Sequence, residues 1–290
     1  MDPFEEKVAI VTGGASGIGR ALCEELGRRG STVIVADINT SGAEHVAATL
    51  MGAGRRALHA HVDVSQAHSV QQLVAEAIAQ HGRLDYMFNN AGIGLAAELR
   101  DMEMEHWRYI LDINLWGVIY GTTAAYQVMV KQGFGHIVNA ASGAGLFPAA
   151  AMGTAYTTTN FAVVGLSMAL RPEAAGLGVK VSVTCPAVVR TGIFDAMIYA
   201  NVKPERVRAA MTTFGLMQPA KCARVIISGV ARNQAIIPVG LLARVGWWFY
   251  RFSPALYDLI ASQIAGYFRP LIRIPKSDGG IVDTSRKTQT

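Results

Sequence analysis

The sequence is poor in cysteine. It has three in 290 residues, and Cys23, Cys185 and Cys222 fall in unrelated predicted elements with no Cys-x-x-Cys or Cys/His spacing. Disulfide frameworks and zinc sites need paired or closely spaced cysteines, so we predict reduced thiols and no metal site. The seven histidines form no ligand set either, and His59 and His61, which straddle one position of a strand pattern, are expected to point outward.

The sequence also lacks a long apolar run. Although 51% of the residues are hydrophobic, no stretch reaches the roughly 18 apolar residues expected of a membrane span. The opening Met-Asp-Pro-Phe-Glu-Glu is too acidic and too short for a signal peptide. Repeats, low-complexity segments and linkers are missing up to about residue 239. We therefore expect a cytoplasmic protein whose residues 1–240 form one enzyme-sized domain.

A glycine-rich turn lies close to the amino terminus. An apolar strand pattern over 7–11 ends at Thr12-Gly13-Gly14-Ala15-Ser16-Gly17-Ile18-Gly19, and a helical pattern follows through Arg29. Glycines permit positive φ and close backbone approach, and the start of a helix favours a diphosphate. The spacing is Gly-x-x-x-Gly-x-Gly, not the commoner Gly-x-Gly-x-x-Gly. The turn predicts dinucleotide binding, with strand-to-helix packing as the alternative explanation.

Asp37 ends the next strand pattern, 32–36, about 20 residues after the glycine turn. An acid at this place accepts hydrogen bonds from the adenosine ribose hydroxyls and repels a 2′-phosphate, so NAD is favoured over NADP. The competing interpretation makes Asp37 a turn residue that opens the loop after the strand.

Strand and helix patterns alternate along the rest of the domain. Further strands are predicted near 57–62, 84–89, 135–140, 180–185 and 236–239, and helices over 41–51, 65–81, 104–131, 154–170 and 219–232. This alternation predicts an α/β fold with a doubly wound parallel sheet and helices on both faces. Ligands of such sheets bind beyond the carboxyl ends of the strands.

Several of those strand ends carry distinctive residues. Asp63-Val64 follows the third strand, Asn89-Asn90-Ala91-Gly92 the fourth and Ser142 the fifth, while Asn114 lies within the long helix and Tyr156 opens the next one. With the glycine turn, these motifs resemble the classical short-chain dehydrogenase/reductase family over roughly residues 5–240. The resemblance implies a Rossmann-type fold, a sheet-stabilising role for Asn89–Gly92, and catalytic positions at Asn114, Ser142, Tyr156 and Asn160.

The resemblance also implies where the cofactor binds. Pro186-Ala187-Val188-Val189-Arg190-Thr191 corresponds to the family's loop over the nicotinamide carboxamide. The cofactor-binding positions that it implies are Gly13, Ser16, Gly17, Ile18, Gly19, Asp37, Asp63, Val64, Asn90, Ala91, Gly92, Tyr156, Asn160, Pro186, Val188 and Thr191.

The same resemblance gives Tyr156 the proton transfer with the substrate oxygen and Ser142 the hydrogen bond that polarises this oxygen. In the family, a lysine four residues after the tyrosine lies on the same helix face, binds the nicotinamide ribose and lowers the tyrosine pKa. Here that residue is Asn160, which is uncharged. One cation about 4.5 Å away at an effective dielectric constant of about 20 contributes roughly 3.5 kcal/mol, or about 2.5 pKa units. No cation nearby in sequence replaces it, although Arg190 is a candidate neighbour in the fold.

A second departure is Ala187, where the family usually has glycine. If this position requires a positive φ, the Cβ of alanine costs about 1 kcal/mol there.

Three explanations of these departures remain open: a deliberately inactivated dehydrogenase, a natural member whose reaction needs no phenolate, and a binding protein on an enzyme scaffold. The leading hypothesis is an NAD-linked oxidoreductase that interconverts an apolar secondary alcohol and a ketone, with impaired catalysis. The alternative is a non-redox protein that binds a dinucleotide or a hydrophobic metabolite.

The segment after residue 240 concentrates aromatic and basic residues. Residues 241–290 hold seven Lys/Arg and three Asp/Glu, a net +4 of the whole chain's +5. Two amphipathic helices are predicted within 241–275, packed on the cleft side of the sheet or on another subunit, and 276–290 is a predicted disordered tail. The helices suit a peripheral membrane contact, a lid over an apolar substrate or a contact in a homo-oligomer, either dimer or tetramer. Nucleic acid is not an expected partner, because no recognition motif accompanies the basic residues.

Overall fold

A parallel sheet of seven strands forms the centre of the computed structural model, which describes residues 2–213 and 215–274. The sheet order is β3-β2-β1-β4-β6-β7-β9, and β5 pairs with β8 in a separate small sheet. In chain order the strands are β1 (Val8–Thr12), β2 (Thr32–Asp37), β3 (Ala57–His61), β4 (Tyr86–Asn89), β5 (Leu95–Ala96), β6 (Gly135–Ala140), β7 (Val179–Pro186), β8 (Ile198–Tyr199) and β9 (Ile236–Val239).

Helices cover both faces of the main sheet. They are α1 (Gly17–Arg28), α2 (Thr40–Gly52), α3 (Ala67–His81), α4 (Met104–Leu111), α5 (Gly117–Gln132), α6 (Thr154–Ala175), α7 (Ile193–Ala196), α8 (Pro204–Thr212), α9 (Pro219–Ala231), α10 (Leu241–Phe252) and α11 (Pro254–Ile272). Among the described helices, none combines the length and the apolar character needed to span a bilayer.

Strand β1 shows why the sheet lies in the middle. All five of its residues are buried, and alternate side chains of a strand point to opposite faces. Ala9 and Val11 pack with α1, α2 and α9 on one face, while Val8 and Ile10 pack with α3 and α5 on the other. An uninterrupted apolar run is what a strand buried on both faces requires, so the predicted doubly wound sheet is confirmed.

The structure differs from the predicted elements in three places. The helix predicted over 104–131 is divided into α4 and α5 by a π-helical turn, Asp112–Trp116, and α6 continues to Ala175 instead of ending near 170. The segment 192–217, which the sequence left unassigned, contains α7, β8 and α8. His59 and His61 are exposed on β3, as expected.

The two helices predicted after residue 240 are present as α10 and α11. Gly246 of α10 lies against Phe147, and an added Cβ there would stand 2.6 Å from its ring. The Tyr257 hydroxyl of α11 donates to the carbonyl of Pro148. Both contacts involve the segment between β6 and α6, so the pair packs on the side of the sheet where the strands end. The predicted tail 276–290 lies outside the described residues.

Candidate active site

The glycine turn forms a cradle in which side chains do not fit. Gly13 and Gly17 have φ of +67° and +54°, and a Cβ on Gly19 would stand 2.0 Å from the carbonyl oxygen of Gly13. A Cβ on Gly13 would stand 2.9 Å from Cα of Ala91, and one on Gly17 would stand 3.1 Å from Cγ2 of Thr191. The predicted loops around 12–19, 90–92 and 186–191 are therefore adjacent, and their backbones border one crevice at the carboxyl ends of β1, β4 and β7.

Helix α1 begins in this crevice. Its N-cap residue, Ser16, is exposed and makes no side-chain capping hydrogen bond. The first N–H groups of a helix have no intrahelical acceptor, so those at Ile18 and Gly19 have none within α1. An anion there is stabilised by these donors and by the helix dipole. The residues present fit the diphosphate of a dinucleotide.

Asp37 is bonded to the glycine turn. Its Oδ2 accepts from the backbone N–H of Ala15 at 2.9 Å, and its Oδ1 accepts from that of Asn39 at 2.9 Å. The second contact belongs to the turn that opens α2, which is the contact expected if Asp37 is a turn residue. The first contact holds the carboxylate beside the glycine turn; its role in binding the ribose stays a prediction.

Thr12 joins the two loops of the crevice, a role that the sequence did not suggest. Its hydroxyl accepts from the N–H groups of Asn90 at 3.0 Å and Ala91 at 3.1 Å, and its carbonyl accepts from the Asn90 side chain at 3.0 Å. The side-chain amide of Asn90 is thus hydrogen-bonded to the glycine turn. Gly92 follows it and faces Asn114, whose Oδ1 would lie 3.4 Å from an added Cβ.

Asn114 lies in the π-helical turn between α4 and α5 and is buried. Its side chain donates to the Ile93 carbonyl at 2.9 Å and accepts from the Ile93 N–H at 2.8 Å. The extra residue of a π turn reorients the local backbone, and such turns are frequent at functional sites. The side chain of Asn114 therefore holds the loop after β4 in place.

Ser142 and Tyr156 come together across the end of β6. Ser142 begins the 3-10 turn after this strand, and Tyr156 lies in the first turn of α6. Burial raises the pKa of Tyr156, and hydrogen bonding with the side chains of Ser142 and Asn160 opposes the shift without cancelling it. A phenol and a hydroxyl within hydrogen-bonding reach can both bind one substrate oxygen.

Asn160 is hydrogen-bonded to both the backbone and the side chain of Tyr156. Its Nδ2 donates to the backbone carbonyl of Tyr156 at 2.7 Å, and the residue is buried. A short amide can reach back to the preceding helical turn, as hydroxyl side chains do. One of its two amide N–H bonds is thus used within α6, and the contact of Asn160 with the cofactor stays a prediction.

The loop after β7 corrects two further expectations. Ala187 is not among the described non-glycine residues with positive φ, and its N–H donates to the Val239 carbonyl at 2.9 Å, so a Cβ causes no backbone strain. Arg190 is exposed and borders a cavity of about 410 Å³ together with Gly17 and Arg20. It is not among the groups that shift the pKa of Tyr156, so Arg190 does not replace the missing lysine.

The remaining predicted positions line the same edge of the sheet. Pro186 ends β7, and the Val188 carbonyl accepts from the N–H of Met217 at 3.1 Å. After β3, the carboxylate of Asp63 accepts from the N–H and hydroxyl of Ser65 at 3.0 and 2.7 Å. Val64 is buried, and Gly117 allows the helix backbone to approach it closely.

A buried polar network joins β4 and β6 to α5 and α6 next to the site, and the sequence did not predict it. Asn89 donates to Asn139 Oδ1 at 2.8 Å and to Thr122 Oγ1 at 3.3 Å, and Asn139 donates to Ser167 Oγ at 3.1 Å. All four are buried. Burying polar groups is costly unless they are paired, so a polar residue inside an apolar strand pattern, such as Asn139, indicates such a network.

Helix α11 borders the other side of the site. A cavity of about 460 Å³ lies between Ala265 and Arg269 of α11, Glu98–Arg100, and the loop Ala149–Thr154 that leads to Tyr156. Arg269 pairs with Glu98, and Arg273 pairs with Asp101 at 3.0 Å. The ion pairs fix the carboxyl end of α11 beside the segment before Tyr156.

A parallel doubly wound sheet with a glycine cradle and a Ser–Tyr pair at its strand ends defines a dinucleotide-dependent oxidoreductase scaffold. Residues 7–200 match the short chain dehydrogenase family. The chain belongs to this family.

Similar proteins and solved structures agree with that assignment. The chain is 31% identical to the putative oxidoreductase SadH of Mycobacterium tuberculosis over 92% of this chain and 99% of that protein. It is 36% identical to tropinone reductase-like 2 of Erythroxylum coca, over 90% and 96% of the two chains. It also resembles the crystal structure of a short chain dehydrogenase/reductase from Burkholderia phymatum in complex with NAD, with a TM-score of 0.77, 30% identity, and coverage of 87% and 95%.

Proposed function

We propose that this chain binds NAD(H) in the glycine crevice and interconverts an apolar secondary alcohol and a ketone, with a rate limited by Asn160. The contact between Ser142 and Tyr156 carries this proposal. It places two hydroxyl groups at the end of β6, beside the crevice. Tyr156 exchanges the proton with the substrate oxygen, and Ser142 donates a hydrogen bond that polarises this oxygen.

NAD is the cofactor that the residues favour. The N–H groups at Ser16, Ile18 and Gly19 hold the diphosphate, and Asp37 accepts from the ribose hydroxyls with the lone pairs that Ala15 and Asn39 leave free. Bound NAD supplies or accepts the hydride. The NAD complex of the Burkholderia phymatum relative supports the choice.

The impaired rate follows from the environment of Tyr156. Burial raises its pKa, and no cation among the described residues acts on it. Alcohol oxidation needs the phenolate as a base, and little phenolate is present near neutral pH when the pKa lies above its ordinary value.

A second candidate function rests on the position of Asn160. Its amide is bonded to the carbonyl of Tyr156 and is buried, and its uncharged side chain supplies no cation to the Tyr156 phenol. This arrangement suits a member of the family that binds a dinucleotide or a hydrophobic metabolite without redox turnover.

Asn160→Lys distinguishes the two functions. A panel of apolar secondary alcohols and ketones is assayed with the unaltered chain, with Asn160→Lys and with Asn160→Lys/Tyr156→Phe, following NADH absorbance. Turnover that appears or rises in Asn160→Lys and disappears in the double variant supports the dehydrogenase. Unchanged inactivity, with NAD binding retained by calorimetry, supports the binding protein.

A further inference from the structure

Helix α10 exposes an apolar stripe on the side turned away from the protein. Leu241, Val245, Trp248 and Phe252 are 78, 55, 70 and 91% exposed, and their spacing of four, three and four residues places them on one helix face. Ala243, on the opposite face, is fully buried. The helix is therefore attached by its inner side, while the four side chains of this stripe remain mostly exposed.

Helix α11, which packs against α10 through the ring of Tyr257, carries a second exposed apolar stripe. One stripe of this helix, which includes Phe268 and Ile272, packs inward. A neighbouring stripe is exposed by 41 to 68%, and its spacing of four, four, three and four residues again defines one face. Its members are Leu256, Ile260, Ile264, Tyr267 and Leu271. Together with the α10 stripe, these nine residues form what we term the outer apolar face.

The charges of the two helices are almost all positive. Residues 241–274 contain four arginines and one acid, Asp258. Arg269 and Arg273 are paired with Glu98 and Asp101 of the protein body. Arg244 and Arg251 of α10 have no acidic partner among the described residues, although Arg251 lies over the Trp247 ring at 5.6 Å.

We propose that the outer apolar face lies on the surface of a bilayer that contains anionic phospholipids. Trp248, Phe252 and Tyr267 enter the boundary between headgroups and acyl chains, where amphipathic aromatic rings are favoured. Arg244 and Arg251 lie beside the α10 stripe and attract the anionic headgroups. A second copy of this chain fits less well, since it would bring the same uncompensated arginines towards one another.

The test is co-sedimentation of the full-length protein with vesicles. Vesicles of phosphatidylcholine alone are compared with vesicles that hold equal parts of phosphatidylcholine and phosphatidylglycerol. The unaltered chain should sediment with the anionic vesicles, and added salt should weaken this binding. Trp248→Glu/Phe252→Glu should lower the partition coefficient roughly ten-fold or more, because two large apolar groups are lost.

The controls use side chains that already face solvent, so that folding is preserved. Met51→Glu alters a methionine of α2 that is 53% exposed, away from the outer apolar face, and should leave sedimentation unchanged. Arg244→Gln/Arg251→Gln should lower binding to the anionic vesicles while leaving the weaker binding to neutral vesicles in place. Circular dichroism checks that each variant is folded.

Three outcomes would overturn the proposal. They are no binding of the unaltered chain to either vesicle, equal binding by Trp248→Glu/Phe252→Glu, and conversion of a soluble oligomer to a monomer by this double variant in light scattering. The last outcome would assign the outer apolar face to a second copy. None of these readouts depends on oxidoreductase turnover, so they are independent of the proposed function.

Discussion

Tyr156 and Asn160 lie one helical turn apart on α6, and the pKa of the tyrosine is raised because burial outweighs its hydrogen bonds to Ser142 and Asn160. In alcohol oxidation the unaltered chain should therefore gain activity as the pH rises towards and beyond 10, since a raised pKa delays formation of the phenolate. A lysine at 160 would restore roughly 2.5 pKa units of stabilisation to the phenolate.

We expect Asn160→Lys to raise the oxidation rate by about 100-fold near pH 7 and by progressively less as the pH approaches 10. The gain shrinks because Tyr156 of the lysine variant becomes fully deprotonated first, while the phenolate fraction of the unaltered chain, with its raised pKa, continues to grow with pH. Initial rates of NAD reduction across the pH range measure it, with Tyr156→Phe as the inactive control. A gain that does not vary with pH would mean that the lysine acts by positioning the cofactor.

Asp37 gives a second prediction at the residue scale. A 2′-phosphate would approach its carboxylate, and like charges within a few ångströms cost on the order of 1–3 kcal/mol, so NAD should bind about ten-fold or more tightly than NADP. Asp37→Asn keeps an oxygen acceptor for the N–H of Ala15 and removes the charge, so the preference should shrink. Calorimetric titration of both cofactors decides this, and equal affinities in the unaltered chain would contradict the role of Asp37.

At the scale of elements, two glycines of neighbouring helices make opposite predictions. A Cβ on Gly121 of α5 would stand 1.9 Å from Oδ1 of Asn89, within the buried polar network, whereas one on Gly165 of α6 meets nothing within 4 Å. Gly121→Ala should destabilise the fold by about 2–4 kcal/mol through overpacking and lost hydrogen bonds. Gly165→Ala should stabilise it by about 0.5–1 kcal/mol.

Urea unfolding of both variants measures this contrast, and each serves as the control for the other because both replace a helical glycine by alanine. If Gly121→Ala were as stable as the unaltered chain, the close approach of α5 to β4 would not be needed. A cost equal for both variants would indicate a general effect on helix formation in place of the contact with Asn89.

The elements differ in how far the sequence predicts them. Apolar strand runs and glycine spacing predict the main sheet and the crevice, because burial on both faces leaves few other patterns. The π turn around Asn114 escapes prediction, since one extra residue barely changes a helical periodicity. The hydrogen bond of Asn160 to the Tyr156 carbonyl also escapes prediction, because spacing fixes the helix face of a residue but not the partners of its side chain.

At the scale of the whole molecule, the crevice and the last two helices are built from different contacts. The glycine turn contacts the loops after β4 and β7. Helices α10 and α11 contact the segment between β6 and α6, and α11 also forms ion pairs with Glu98 and Asp101. Although burial acts to raise it, hydrogen bonds from Arg269 and Arg100 hold the pKa of Glu98 below its ordinary value. These pairs therefore stabilise the fold above the ordinary carboxyl pKa and lose this effect as the pH falls through the lowered one.

Weakening the ion pairs at the end of α11 should therefore change the stability of this helix more than the affinity of the cofactor site. The Asp101 side chain is 1% exposed and binds Arg273 through two hydrogen bonds of 3.0 and 3.2 Å. Asp101→Asn removes the nearer of the two carboxylates that pair with Arg273 and leaves only Glu98, at 3.7 Å, so amide hydrogen exchange in α11 should accelerate by about ten-fold or more. Glu105→Gln is the matched control, because its pair with Arg108 is largely exposed and contributes little. Exchange measured by mass spectrometry should change in Asp101→Asn alone, while calorimetry should give the same NAD affinity for both variants. A loss of NAD affinity in folded Asp101→Asn would show that α11 belongs to the cofactor site and that the two regions are not separable.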